Sequence, residues 1–115
     1  QKLTSRWFTD DFIKSNPDLV KNRLKQVIDT DPEVFLNVFK IYANTEMISW
    51  LKNISTPCFL MTGENDGGCS PGHNKKMANE ITNSKLVILP KYKHSFLIEA
   101  PHEVSKNIIE FIKNI

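Results

Sequence analysis

No stretch of the 115-residue sequence approaches the roughly 20 consecutive apolar residues that a bilayer-spanning helix needs. The polar start Gln1, Lys2, Leu3, Thr4 also lacks the apolar core of a secretory signal. Cysteine is scarce. Cys58 and Cys69 do not form a C-x-x-C pair, and Cys58 lies in an apolar run where a thiol serves as a small hydrophobe, so a reducing, cytoplasmic setting is the default expectation. Basic runs are missing as well: 15 Lys and Arg against 13 Asp and Glu leave a formal charge of +2. Lysines such as Lys21, Lys40, Lys75, Lys93 and Lys113 are dispersed among acids, which argues against a nucleic-acid groove or a membrane-surface patch. His73, His94 and His102 show no ligand-like spacing, so neither a metal nor a cofactor is expected.

What remains is the composition of one globular domain at most. The first half reads as helical. Leu19, Val20, Leu24, Val27 and Ile28 recur near helical spacing. Val34, Phe35, Val38, Phe39 and Tyr42 form a second stripe behind Asp31 and Pro32, a good N-cap and first-turn pair. A shorter helical segment from Met47 to Leu51 leads through Ile54 to Pro57, where the pattern changes. The division expected is residues 1–54 as a helical segment and 55–115 as a βαβα unit.

From Pro57 the run Cys58, Phe59, Leu60, Met61 ends at Gly63, short and apolar on both faces, as a buried parallel strand is. Lys85 to Leu89, closed by Pro90, repeats the design. Pro71 to Ile81 between them forms a helix with Met77, Ala78 and Ile81 on one side, which makes a βαβ crossover with parallel strands the natural topology. A last helix starts at Pro101 and carries Val104, Ile108, Phe111 and Ile112 as its buried stripe. Two strands leave edges unpaired. The chain is therefore expected to be a fragment of a longer protein, or to self-associate through its strand edges.

Ligands gather at the carboxyl ends of parallel strands, which singles out the loops after Met61 and after Leu89. The first is Gly63, Glu64, Asn65, Asp66, Gly67, Gly68; the second is Lys91, Tyr92, Lys93, His94, Ser95. Adjacent strands bring these loops side by side. A carboxylate there accepts the imidazole Nδ1 proton, fixes the tautomer and leaves Nε2 to act as general base. Asp66 alone reads as turn chemistry and His94 alone as surface. Their coincidence at successive strand ends makes them a candidate pair, with Glu64 as a rival for the orienting acid.

The stretch from Pro57 through Phe111 resembles the end of the α/β-hydrolase fold: a strand, Gly-Glu-Asn-Asp, a helix, a last strand and a histidine loop. His94 to Pro101 is similar to that family's histidine followed by an acid, a spacer and the proline that opens the last helix. Upstream, Ser5, Arg6, Trp7, Phe8 and Thr9, with the helices leading to Trp50, Leu51, Ile54 and Pro57, resemble the helical cap and its return in the 3-oxoadipate enol-lactonase branch. The resemblance implies the C-terminal portion of an α/β-hydrolase, with Asp66 and His94 as triad acid and histidine. It also implies a small-molecule ester or lactone as substrate, and a nucleophile outside this sequence, in an N-terminal part that the isolated chain needs for activity. Lys93 departs from the glycine common before the histidine.

One motif misleads. Gly68, Cys69, Ser70, Pro71, Gly72 matches the G-x-S-x-G nucleophile elbow. Its oxyanion hole requires the backbone N–H of the residue after the serine, and Pro71 has none. Ser70 is also separated from Gly63 by six residues, and no aspartate follows it. Capping the helix that Pro71 opens is the role expected of Ser70. Cys69 is expected to be incidental, His73 and His102 to be exposed, and Glu99 to serve the dipole at the start of the last helix. Trp7, Phe8 and Phe12 are read as cap-helix core ahead of pocket lining. A non-catalytic scaffold that keeps the hydrolase fold is the alternative function.

Overall fold

The computed structural model describes residues 2–115; Gln1, part of the polar start considered above, lies outside the described residues. Five helices come first: α1 (Thr4–Trp7), α2 (Asp10–Ser15), α3 (Pro17–Ile28), α4 (Pro32–Asn44) and α5 (Ile48–Leu51). Then follow β1 (Cys58–Gly63), α6 (Pro71–Glu80), β2 (Ser84–Leu89), α7 (Phe96–Glu99) and α8 (Pro101–Ile112). The punctuation is local chemistry. Asp31 Oδ1 accepts the backbone N–H groups of Glu33 and Val34 at 2.8 and 3.1 Å and so caps α4. Proline opens α3, α4, α6 and α8, where its missing N–H costs no helical bond. Ser70 Oγ accepts from His73 N at 3.4 Å, the capping role expected of it.

The two strands pair in parallel, with Cys58 opposite Ser84 and Gly63 opposite Leu89. This is the anticipated βαβ arrangement, and α6 packs against both strands. Helix α8 reaches the sheet through Phe59 and Phe111, whose rings stack at 5.1 Å. Phe8, Val20, Leu51, Ile81, Leu89, Ala100 and Val104 are the buried apolar residues.

Two expectations about burial need correction, and a third element, α4, is more open than either. Residues 58–61 of β1 are only half-buried, because each strand has one neighbour and the outer flanks of the sheet are uncovered. On α8 only Val104 is buried; Ile108 and Ile112 are exposed and Phe111 is intermediate, since nothing lies over that part of the stripe. Every residue of α4 is exposed, including Phe35, Phe39 and Tyr42, whose rings lie against one another along the helix. The radius of gyration, 15.9 Å, exceeds the roughly 13 Å of a compact domain of this length. Apolar faces and strand edges both remain open.

Candidate active site at the carboxyl ends of the strands

The loops leaving β1 and β2 are joined by their backbones before any side chain is considered. Glu64 N donates to Leu89 O and Asn65 N to Tyr92 O, each at 2.9 Å. This contact requires glycine at the end of β1. A Cβ on Gly63 would stand 2.4 Å from Lys93 O and 2.5 Å from Tyr92 O, far inside van der Waals contact with main-chain atoms. The second loop turns at Lys91, whose φ of 64° is left-handed, and Glu64 Oε2 accepts the Lys91 N–H at 2.9 Å. Glu64 thus holds the histidine loop and does not compete with Asp66 for the imidazole. Lys93 takes no left-handed backbone, so a side chain is accommodated where a glycine is common.

Asp66 is buried, and its two oxygens have separate tasks. Oδ1 accepts the backbone N–H groups of Gly68 and Cys69 at 2.8 and 2.9 Å, closing a tight turn. Oδ2 faces His94 Nδ1 at 2.8 Å. Burial on its own would raise the Asp66 pKa; the His94 hydrogen bond and the two backbone N–H groups outweigh it and hold the carboxyl below its ordinary range. An ionised carboxylate only accepts, so Nδ1 carries the proton. Nε2 has no hydrogen-bond partner among the described residues. The two residues read from the sequence are brought together, 28 positions apart in the chain.

The remainder of the site was not legible in advance. Ser95 N, next to the histidine, donates to Trp7 O at 2.8 Å. Glu99 accepts from Thr9 twice, from N at 3.0 Å and from Oγ1 at 2.5 Å. Glu99 therefore ends α7, just ahead of the last helix as expected, and also clamps the N-terminal segment at Thr9, a contact the sequence did not show. No local signal links residues 90 positions apart. Beneath the acid loop, Thr62 Oγ1 and Asn74 Nδ2 both donate to Cys69 O, at 2.6 and 2.9 Å, which ties the loop to β1 and α6. Phe8 is fully buried and stacks on Phe12 at 5.3 Å, the core role expected.

A pocket of about 160 Å³ opens beside the pair, lined by Leu3, Arg6, Trp7, Asp66, Gly67, Gly68 and His94. Trp7 thus meets both the histidine loop, through its carbonyl, and the pocket. His73 and His102 are exposed and stand outside it. Asp66, Cys69 and His94 offer donor atoms within 4.8 Å of one another, a cluster that the histidine spacing gave no hint of.

No family model matches the chain. A solved structure of an α/β-hydrolase enzyme from a Medee basin deep-sea metagenome library superposes with a TM-score of 0.75 at 21% identity, over 94% of this chain and 41% of that one. The enol-lactonase from Burkholderia xenovorans superposes with a TM-score of 0.91 at 20% identity, over 97% of this chain and 43% of that one. The chain has the fold of the C-terminal part of an α/β-hydrolase. Its sequence is similar to 3-oxoadipate enol-lactonase 2 of Acinetobacter baylyi, 24% identical over 101 residues, 88% of this chain and 38% of that protein. The chain thus spans about two fifths of the length of the relatives it matches.

Proposed function

We propose that this chain supplies the acid and the histidine of a serine-type hydrolase whose nucleophile stands on a segment outside it, and that the substrate is a carboxylic ester or lactone. The observation that carries the proposal is the 2.8 Å contact between Asp66 Oδ2 and His94 Nδ1 at the ends of adjacent parallel strands. Asp66 holds the tautomer and stabilises the imidazolium; Nε2 removes the proton from the attacking hydroxyl and returns it to the leaving oxygen. Water then resolves the acyl-enzyme, with Nε2 as base a second time. Residues 1–54 contribute the helical cap side of the pocket through Arg6 and Trp7, and 55–115 the hydrolase core. The lactone class is supported by the similarity to enol-lactonases.

The isolated chain is expected to be inactive, since neither nucleophile nor complete oxyanion hole is present in it. The test is steady-state hydrolysis of a lactone and of simple esters by the longer protein. Asp66→Asn should lower kcat by about 10⁴-fold and His94→Ala by about 10⁶-fold, the scales seen when a triad acid and a triad histidine are removed. Ser70→Ala should retain kcat within about threefold, because Ser70 only caps α6. Near-normal turnover in either of the first two variants, or collapse in the third, overturns the assignment.

A further inference from the structure

Asp66, Cys69 and His94 bring three potential metal-ligating groups together. Their carboxylate oxygen, sulfur and imidazole nitrogen atoms all lie within 4.8 Å of one another, and Asp66 and His94 line the pocket beside Gly67 and Gly68. An O, S, N donor set of three with a fourth position open to solvent is the composition borderline divalent cations prefer, and it suits Zn²⁺ better than Mg²⁺ or Ca²⁺. We propose that these three residues form a Zn²⁺ site whose occupation turns the Asp66–His94 pair off.

The geometry requires small movements only. Tetrahedral zinc holds such donors about 2.0 to 2.3 Å from the metal and therefore roughly 3.5 Å apart. Asp66 Oδ1 is already fixed by the N–H groups of Gly68 and Cys69, which leaves Oδ2 aimed at the cluster. Oδ2 and His94 Nδ1 must separate slightly from 2.8 Å, and the half-exposed imidazole is free to do so. Cys69 is a free, exposed cysteine whose sulfur already lies within 4.8 Å of the other two donor atoms.

Protons and charge balance as follows. Zn²⁺ binds the Cys69 thiolate, the Asp66 carboxylate and neutral His94; the thiol proton leaves to solvent, and the imidazole proton passes from Nδ1 to Nε2. The bound cluster is neutral. With Nε2 protonated, the histidine has lost the lone pair that a general base needs. The metal site stands on the three donor groups alone; the loss of base function rests on the Nε2 role proposed above.

The purified chain is titrated with Zn²⁺ in competition with a chromophoric chelator and, separately, with Co²⁺. One equivalent should bind, with a sulfur-to-cobalt charge-transfer band in the near ultraviolet and a tetrahedral ligand-field spectrum. Cys69→Ser should remove the band and weaken Zn²⁺ binding at least tenfold, about what loss of a supporting contact alone costs. Cys58→Ser should change neither, and ¹⁵N NMR of His94 should show the proton move to Nε2. Circular dichroism establishes that the variants fold. Unchanged zinc affinity in folded Cys69→Ser, or a band that vanishes in Cys58→Ser instead, overturns the proposal.

Discussion

At the scale of single residues, the site depends on a division of labour within one carboxylate. Asp66 Oδ1 is spent on its own turn and Oδ2 on His94, so the side chain is both a structural clamp and an orienting acid. Its lowered pKa has a consequence for stability, and the sign is fixed. A carboxyl whose folded pKa lies below its unfolded value contributes fully above the unfolded value, roughly 3.9, and loses that contribution as pH falls through the folded value. Unfolding by denaturant, followed from pH 7 down to pH 2, should therefore show the Asp66-dependent stability disappearing only below about pH 4. Asp66→Asn should be less stable at pH 7 and should lose part of the acid-limb slope. The acid and the histidine were legible because each follows an apolar run that ends at a breaker. Thr9 and Glu99 were not, because their contact spans 90 positions and neither residue has a distinctive neighbourhood.

At the scale of elements, the site is a product of two strand ends meeting. The parallel register puts Gly63 opposite Leu89, and the chain leaving each strand runs directly against the other. Gly63→Ala should push the histidine loop away, because the new methyl meets the main chain of Tyr92 and Lys93 and no side-chain tip can yield. An overpacking cost of about 1–3 kcal/mol is expected in denaturant unfolding. A variant as stable as the parent would show that the loop packs less tightly than described. The sequence marks Gly63 as a breaker ending a strand, which is correct but incomplete, since a glycine that stops a strand and one that admits a neighbouring backbone look alike in one dimension. Helix starts were read well, because Asp31, Ser70 and the prolines act within one turn. The buried stripe assigned to α8 was read too generously. Periodicity identifies the side of a helix that seeks cover, and cover has to come from elsewhere.

At the scale of the whole molecule, the exposed apolar residues and the two unpaired strand edges belong together. Val34, Phe35, Val38, Phe39 and Ile41 on α4, with Ile109 and Ile112 on α8, are more exposed than a stable monomer usually allows. The relatives are more than twice as long as the chain. In isolation at micromolar concentration the chain should self-associate, and light scattering coupled to size exclusion should return a mass above that of one 13.2 kDa chain. A stable monomer would contradict the exposed-edge argument. The measurement closest to the central claim is NMR of the His94 imidazole. A protonated Nδ1 with a low-field, slowly exchanging proton is predicted at neutral pH, and that resonance should vanish in Asp66→Asn. An imidazole protonated at Nε2, or a spectrum indifferent to Asp66→Asn, would contradict the pairing from which the proposed chemistry follows.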